Sequence, residues 1–197
     1  MRKAEEFMSA GGWLHLDITD GKFTPWKSWN NPKELKSLDT KLNIEVHLMV
    51  ENPAGVAAAW LGGGAKRLIV PVQAVADMST LRELVKKYNA QLVPSFDSSI
   101  SIESAKQYEW AECIGVLAVH PGESGQKVNE ESFEKVKFLR EAMPSVKIEF
   151  DGGVDFNTGA RALNAGADIL TSGHYIFESV DPIGSYAKLS NLNANVS

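Results

Sequence analysis

Gly62-Gly63-Gly64-Ala65-Lys66-Arg67-Leu68-Ile69-Val70 holds the decision about the fold. Glycine closes a helix because it enters the left-handed conformation without a Cβ penalty, and the β-rich run that follows at once enters a sheet. The same junction stands at Ala10-Gly11-Gly12 before Trp13 to Asp17, and at Ala165-Gly166-Ala167 before Ile169-Leu170. Each is the αβ half of a βα repeat. Outward from these junctions, the pattern predicts strands near residues 13–18, 44–49, 67–72, 91–96, 113–119, 146–151 and 168–172. Helical segments lie between them, among them Pro53 to Leu61, Thr80 to Tyr88, Glu130 to Ala142 and Thr158 to Ala165. Strict alternation implies a parallel sheet. Leu68-Ile69-Val70 and Ile114 to Val119 are continuously apolar, as strands covered on both faces must be.

The fold class expected is therefore α/β, a (β/α)8 TIM-type barrel lacking its first β-strand. Such a barrel has eight strands and begins with one, whereas seven strands are read here and the chain opens with a helix. The 197 residues make one domain, 1–197, with no linker, and the polar tail 189–197 is expected to fray. The edge where a strand is missing leaves a homo-oligomer as an open expectation. Hydrophobic residues at 44% and charged residues at 23% describe an ordinary globular chain. A net charge of -5 without a basic patch argues against a nucleic-acid groove or an anionic membrane surface. No apolar stretch approaches the ~20 residues that span a bilayer. Cys113, the one cysteine, sits in an apolar run and reads as a buried structural thiol, which suits a reducing cytoplasm.

The chemistry is densest at Leu14-His15-Leu16-Asp17-Ile18-Thr19-Asp20-Gly21. His15 and Asp17 are two apart on a strand, so both leave the same face, at the C-terminal end where barrel active sites lie. His47 ends the next strand, in Glu45-Val46-His47-Leu48-Met49, and Asp151 ends another, in Ile148-Glu149-Phe150-Asp151-Gly152-Gly153. Two imidazoles and two carboxylates suit one divalent metal ion: zinc, iron(II), manganese or cobalt. Three glycine-rich loops also stand at strand ends: Gly122-Glu123-Ser124-Gly125, Gly152-Gly153 and Gly173-His174. Backbone N–H groups in such loops suit an anion, and together they read as a phosphate cup. Trp26 and Trp29 read as a packed loop.

At these residues the chain resembles the ribulose-phosphate 3-epimerase family. The matching segments are His15 to Pro25, Val46 to Pro53, Val119 to Lys127, Asp151 to Val154, and Ala165-Gly166-Ala167-Asp168 through Ser172-Gly173-His174-Tyr175-Ile176-Phe177. They span most of the chain in the family's order. The resemblance implies that His15, Asp17, His47 and Asp151 bind the metal, that Asp17 and Asp151 exchange the proton, and that His47 also faces substrate. It implies interconversion of D-ribulose 5-phosphate and D-xylulose 5-phosphate, a step of the pentose phosphate pathway. The chain departs from the family pattern where Thr19 and Leu117 replace usual methionines, where Glu123-Ser124 interrupts the usual Gly-Phe-Gly-Gly, and where His174 replaces a serine. The serine-bearing first strand has no counterpart. Two alternatives stand beside the main reading: an epimerase for another ketose phosphate, such as a hexulose 6-phosphate, and a catalytically silent sugar-phosphate-binding barrel.

Overall fold

Three helices begin on the same two-residue signal. Asn31-Pro32, Asn52-Pro53 and Asp181-Pro182 each place a side-chain acceptor at the N-cap and a proline in the first turn, where its missing N–H costs nothing. The cap oxygens accept from the backbone N–H of Glu34, Gly55 and Gly184. In the computed structural model, which describes residues 2–8, 11–122 and 124–192, these are helices α2 (Pro32–Ser37), α3 (Pro53–Gly62) and α8 (Pro182–Ser190). The others are α1 (Arg2–Glu5), α4 (Ser79–Lys87), α5 (Glu131–Ala142), α6 (Phe156–Ala165) and α7 (His174–Phe177).

Seven strands alternate with them: β1 (Trp13–Thr19), β2 (Asn43–Met49), β3 (Arg67–Pro71), β4 (Gln91–Phe96), β5 (Cys113–Leu117), β6 (Lys147–Asp151) and β7 (Ile169–Thr171). They lie in one sheet in chain order, β1-β2-β3-β4-β5-β6-β7. The pairs β1–β2, β2–β3, β4–β5, β5–β6 and β6–β7 are parallel. This is the α/β, TIM-type class expected from the sequence, with seven strands among the described residues. Between β4 and β5 the connection is only a 3-10 helix, Ile102–Tyr108.

The residues group into two compact units, Met1–Pro94 and Ser95–Ser197. In the first, β2 and β3 are buried along almost their whole length, and Trp60, Leu48, Leu68, Leu81 and Ile18 form the core. Burying Trp60 contributes about 4–6 kcal/mol, taking ~25 cal/mol per Å² over the ~150–250 Å² of a large aromatic side chain. Trp29 meets the Trp60 ring edge-on at 5.7 Å but is itself 41% exposed, and Trp26 is 48% exposed, so neither is buried as a packed loop would have it. In the second unit, Phe133 stacks on Phe150 at 5.2 Å beside Ile114, Leu139 and Ile148. Gly166 ends α6 at φ 115, and a Cβ there would meet Arg140, whose guanidinium donates to the Gly166 carbonyl. Cys113 is buried, as expected for a structural thiol.

The tail expected to fray is described only as far as Leu192. Leu189 ends the apolar face of α8 and is buried, as is Leu192, and residues 193–197 lie outside the described residues. Among the described residues, no helix is long and apolar enough to cross a membrane.

Candidate active site

The register of β1 against β2 sets the first half of the site. His15 lies opposite Glu45, and Asp17 lies opposite His47. Side chains two apart on a strand share a face, so these four form two adjacent rows, one above the other. In the upper row, Asp17 Oδ1 lies 3.4 Å from His47 Nδ1, and it reaches down to His15 Nε2 at 3.2 Å. The two imidazoles meet edge to face, with centroids 5.7 Å apart. His47 is fully buried, while the Asp17 carboxylate is 56% exposed.

The protein mass around the Asp17 carboxyl pushes its pKa up. The charges and hydrogen bonds of His15 and His47 outweigh that and hold it well below the usual carboxylate range. Asp17 is therefore ionised wherever the protein is folded near neutrality. The lower row carries a second carboxylate. Glu45 is buried and aims Oε1 at His15 Nδ1, 3.0 Å away, while Oε2 accepts from Arg67 Nη1 at 2.6 Å. Burial raises the Glu45 pKa, and His15 and then Arg67 lower it by more.

The loops above these rows are held by short polar contacts. Ser28 Oγ donates to the Asp17 carbonyl at 2.7 Å and accepts from the Thr19 N–H at 2.9 Å, pinning the end of β1. Asp20 accepts from the N–H groups of Lys22 and Phe23 with Oδ1 and from Glu51 N–H with Oδ2, which fastens the loop after β1 to the loop after β2.

In the second unit, Asp151 is the last residue of β6, in register with Leu117 on β5 and Thr171 on β7. Its carbonyl accepts from Ala118 N–H at 2.7 Å. The three glycine-rich loops adjoin one another. A Cβ on Gly153 (φ 65) would stand 2.8 Å from Val128 N and 3.2 Å from Gln126 O, so only glycine fits that approach. A Cβ on Gly125 (φ 79) would meet His174 Nδ1 at 3.2 Å. Gly122 and Gly152 also take positive φ, at 112 and 98. Gly173 and His174 are exposed at the start of α7, and Ser124 is exposed in its loop. Glu123 lies outside the described residues.

A sequence model described as the ribulose-phosphate 3 epimerase family matches residues 2–177. The chain belongs to that family. Ribulose-phosphate 3-epimerase of Chlamydia pneumoniae is 32% identical over 187 residues, covering 90% of this chain and 81% of the relative. The cytoplasmic isoform of Oryza sativa subsp. japonica is 32% identical over 179 residues, covering 86% and 77%. In fold, the chain resembles 3-hexulose-6-phosphate synthase from Salmonella typhimurium, with a TM-score of 0.71 over 96% of this chain and 89% of that one. At 15% identity that likeness is one of architecture alone. Membership of the epimerase family makes the chain an enzyme.

Within this epimerase-family site, His15, Asp17 and His47 form a cluster whose donor atoms lie within 4.8 Å of one another and could hold a metal ion. Four site residues were not singled out from the sequence: Ser28, Asp20, Glu45 and Arg67. For Glu45 the signal was present, since it shares the face of His47 by the two-residue period. Arg67 carried no signal of its own, because only strand register brings it opposite Glu45.

Proposed function

We propose that this chain interconverts D-ribulose 5-phosphate and D-xylulose 5-phosphate by proton transfer at carbon 3, using one divalent metal ion held by His15, Asp17, His47 and Asp151. The observation that carries the reading is the convergence of two imidazoles on one ionised carboxylate, at 3.2 and 3.4 Å. Neighbouring ligands of a single ion bound at ~2.1 Å stand roughly 3.0–3.4 Å from each other, so the donor set fits one ion in type and spacing. Zinc, iron(II), manganese and cobalt all suit imidazole plus carboxylate. Asp151 joins the set by the family motif, and its position as the last residue of β6 accords with that role.

The proton next to a ketone is a weak acid, and an aspartate of ordinary pKa ~3.9 is a poor base for it. A bound cation supplies stabilisation for the negative charge that develops on the substrate oxygens. Epimerisation then needs a proton taken from one face of carbon 3 and returned to the other. Asp17 and Asp151 divide that work, one as base and one as acid, with the roles exchanged in the reverse direction. The substrate phosphate is taken by the backbone of Gly122, Glu123, Ser124, Gly125, Gly152, Gly153 and Gly173, with His174 beside them. His174, where the family usually carries serine, favours one second reading, a related ketose phosphate as substrate. The whole chain, 1–197, acts as one catalytic domain. A cytoplasmic location follows the named isoform of the rice relative.

The test is exchange of the carbon-3 proton of ribulose 5-phosphate in heavy water, with and without a chelator, on wild type and Asp151→Asn. Exchange and turnover in the wild type, both lost on chelation and in the variant while a phosphate ligand still binds, are expected. Full turnover after chelation would remove the metal from the mechanism, and wild-type turnover by Asp151→Asn would remove Asp151. Exchange with hexulose 6-phosphate instead would replace the substrate.

A further inference from the structure

Three strands present one residue each at the level just below Asp17 and His47. Strand register puts His15 opposite Glu45, and Glu45 opposite Arg67. The three side chains are joined in that order. His15 Nδ1 is 3.0 Å from Glu45 Oε1, and Arg67 Nη1 donates to Glu45 Oε2 at 2.6 Å. Arg67 is itself held twice more: its Nε donates to Gln91 Oε1 at 2.9 Å, and its guanidinium lies 3.9 Å over the Trp13 ring. Glu45 and Arg67 are 3% and 7% exposed, so this is a desolvated ion pair rather than a surface one.

We propose that Glu45 and Arg67 are positioning residues that fix the tautomer and aim of His15. A carboxylate can only accept, so the ring nitrogen facing it must be the donor, and Nδ1 carries the proton. Nε2 faces Asp17 Oδ1 at 3.2 Å, and a cation bound between the two would take the Nε2 lone pair in place of a proton there. Both Glu45 oxygens are engaged, one by His15 and one by Arg67, so Glu45 is withheld from the metal although it lies near. Arg67 holds the second Glu45 oxygen and stops the carboxylate turning upward. A buried Arg–Glu pair gives little net stability against its own desolvation. Orientation of a ligand is a return that a hydrophobic replacement would not provide.

This inference rests on the metal-site reading, and its test separates the two. Zinc and cobalt(II) affinities are measured by competition with a chromophoric chelator on wild type, Glu45→Gln, Arg67→Met and Arg67→Lys, alongside thermal melts and the visible spectrum of bound cobalt(II). In parallel, nitrogen-15 NMR of the wild type reads the protonation of His15 Nδ1. Loss of an outer partner typically weakens metal binding about 10–100-fold. Glu45→Gln is expected to fall in that range with an altered cobalt spectrum, Arg67→Met is expected to weaken binding, and Arg67→Lys is expected to recover part of it. Nδ1 is expected to be protonated in both metal-free and metal-loaded protein. Affinities within twofold of wild type in variants that merely melt lower would reduce the pair to a structural contact. A bare Nδ1 in the wild type would overturn the proposal even if no variant folds. A wild type that binds neither metal refutes the metal site, while the state of Nδ1 still decides the positioning role.

Discussion

Replacing Asp20 with asparagine tests whether the loops over the site are fastened by charge. The carboxylate accepts three backbone N–H groups, from Lys22 at 2.9 Å, Phe23 at 3.0 Å and Glu51 at 2.9 Å. Asparagine keeps one acceptor, so it can serve Lys22 and Phe23 but turns an NH₂ toward the Glu51 N–H. One bond is lost, a donor faces a donor, and the other two bonds become neutral. A bond to a buried charged group is worth ~1.5–3 kcal/mol, and Asp20 is partly open to solvent, so a discounted total of about 1–2 kcal/mol is expected. For a chain of this size that lowers Tm by roughly 2–8 °C. The three N–H bonds outweigh the upward push of burial and hold the Asp20 pKa below its ordinary 3.8. A depressed carboxylate contributes stability above the unfolded pKa and loses it as pH falls through the folded one. The gap between wild type and Asp20→Asn in urea or thermal unfolding is thus expected in full at pH 7 and to close below pH 3.8. Equal stability at pH 7, or a gap undiminished well below that value, would refute the reasoning.

Two further perturbations probe the second unit. Gly153→Ala forces a left-handed residue (φ 65) and sets a Cβ 2.8 Å from Val128 N, so a loss of about 1–3 kcal/mol is expected, read by denaturant unfolding, with weaker binding of inorganic phosphate; unchanged stability would mean that the loop yields freely. Lys135, buried, donates to the carbonyls of Asp97 and Ile100, and burial lowers its pKa below the ordinary 10.5 despite the acidic groups near it. Between the lowered and ordinary values the unfolded chain holds more protons, so wild-type stability rises with pH toward 10.5 relative to Lys135→Met. A difference that stays flat or shrinks over that range would contradict it.

Much of the architecture was legible because its signals are local. The strand at 44–49 was read within a residue of β2, and Pro53 to Leu61 within a residue of α3, since period and punctuation decide both. α2 and α8 were not read from the sequence, although Asn31-Pro32 and Asp181-Pro182 carry the same kind of capping acceptor and proline that opens α3. The 3-10 helix Ile102–Tyr108 carries no such signal, and its N-cap residue Ser101 makes no side-chain capping bond.

Residue type and two-residue spacing determined, without coordinates, that His15 and Asp17 share a face and that His47 ends the neighbouring strand, because side-chain alternation is a property of the extended backbone itself. Only tertiary structure decided that Asp17 stands between two imidazoles, and that His15 is backed by Glu45 and Glu45 by Arg67. The physical reason is register: which residue of one strand faces which of the next depends on how whole strands are packed side by side, and no local signal in the 51 residues of chain between His15 and Arg67 specifies that alignment.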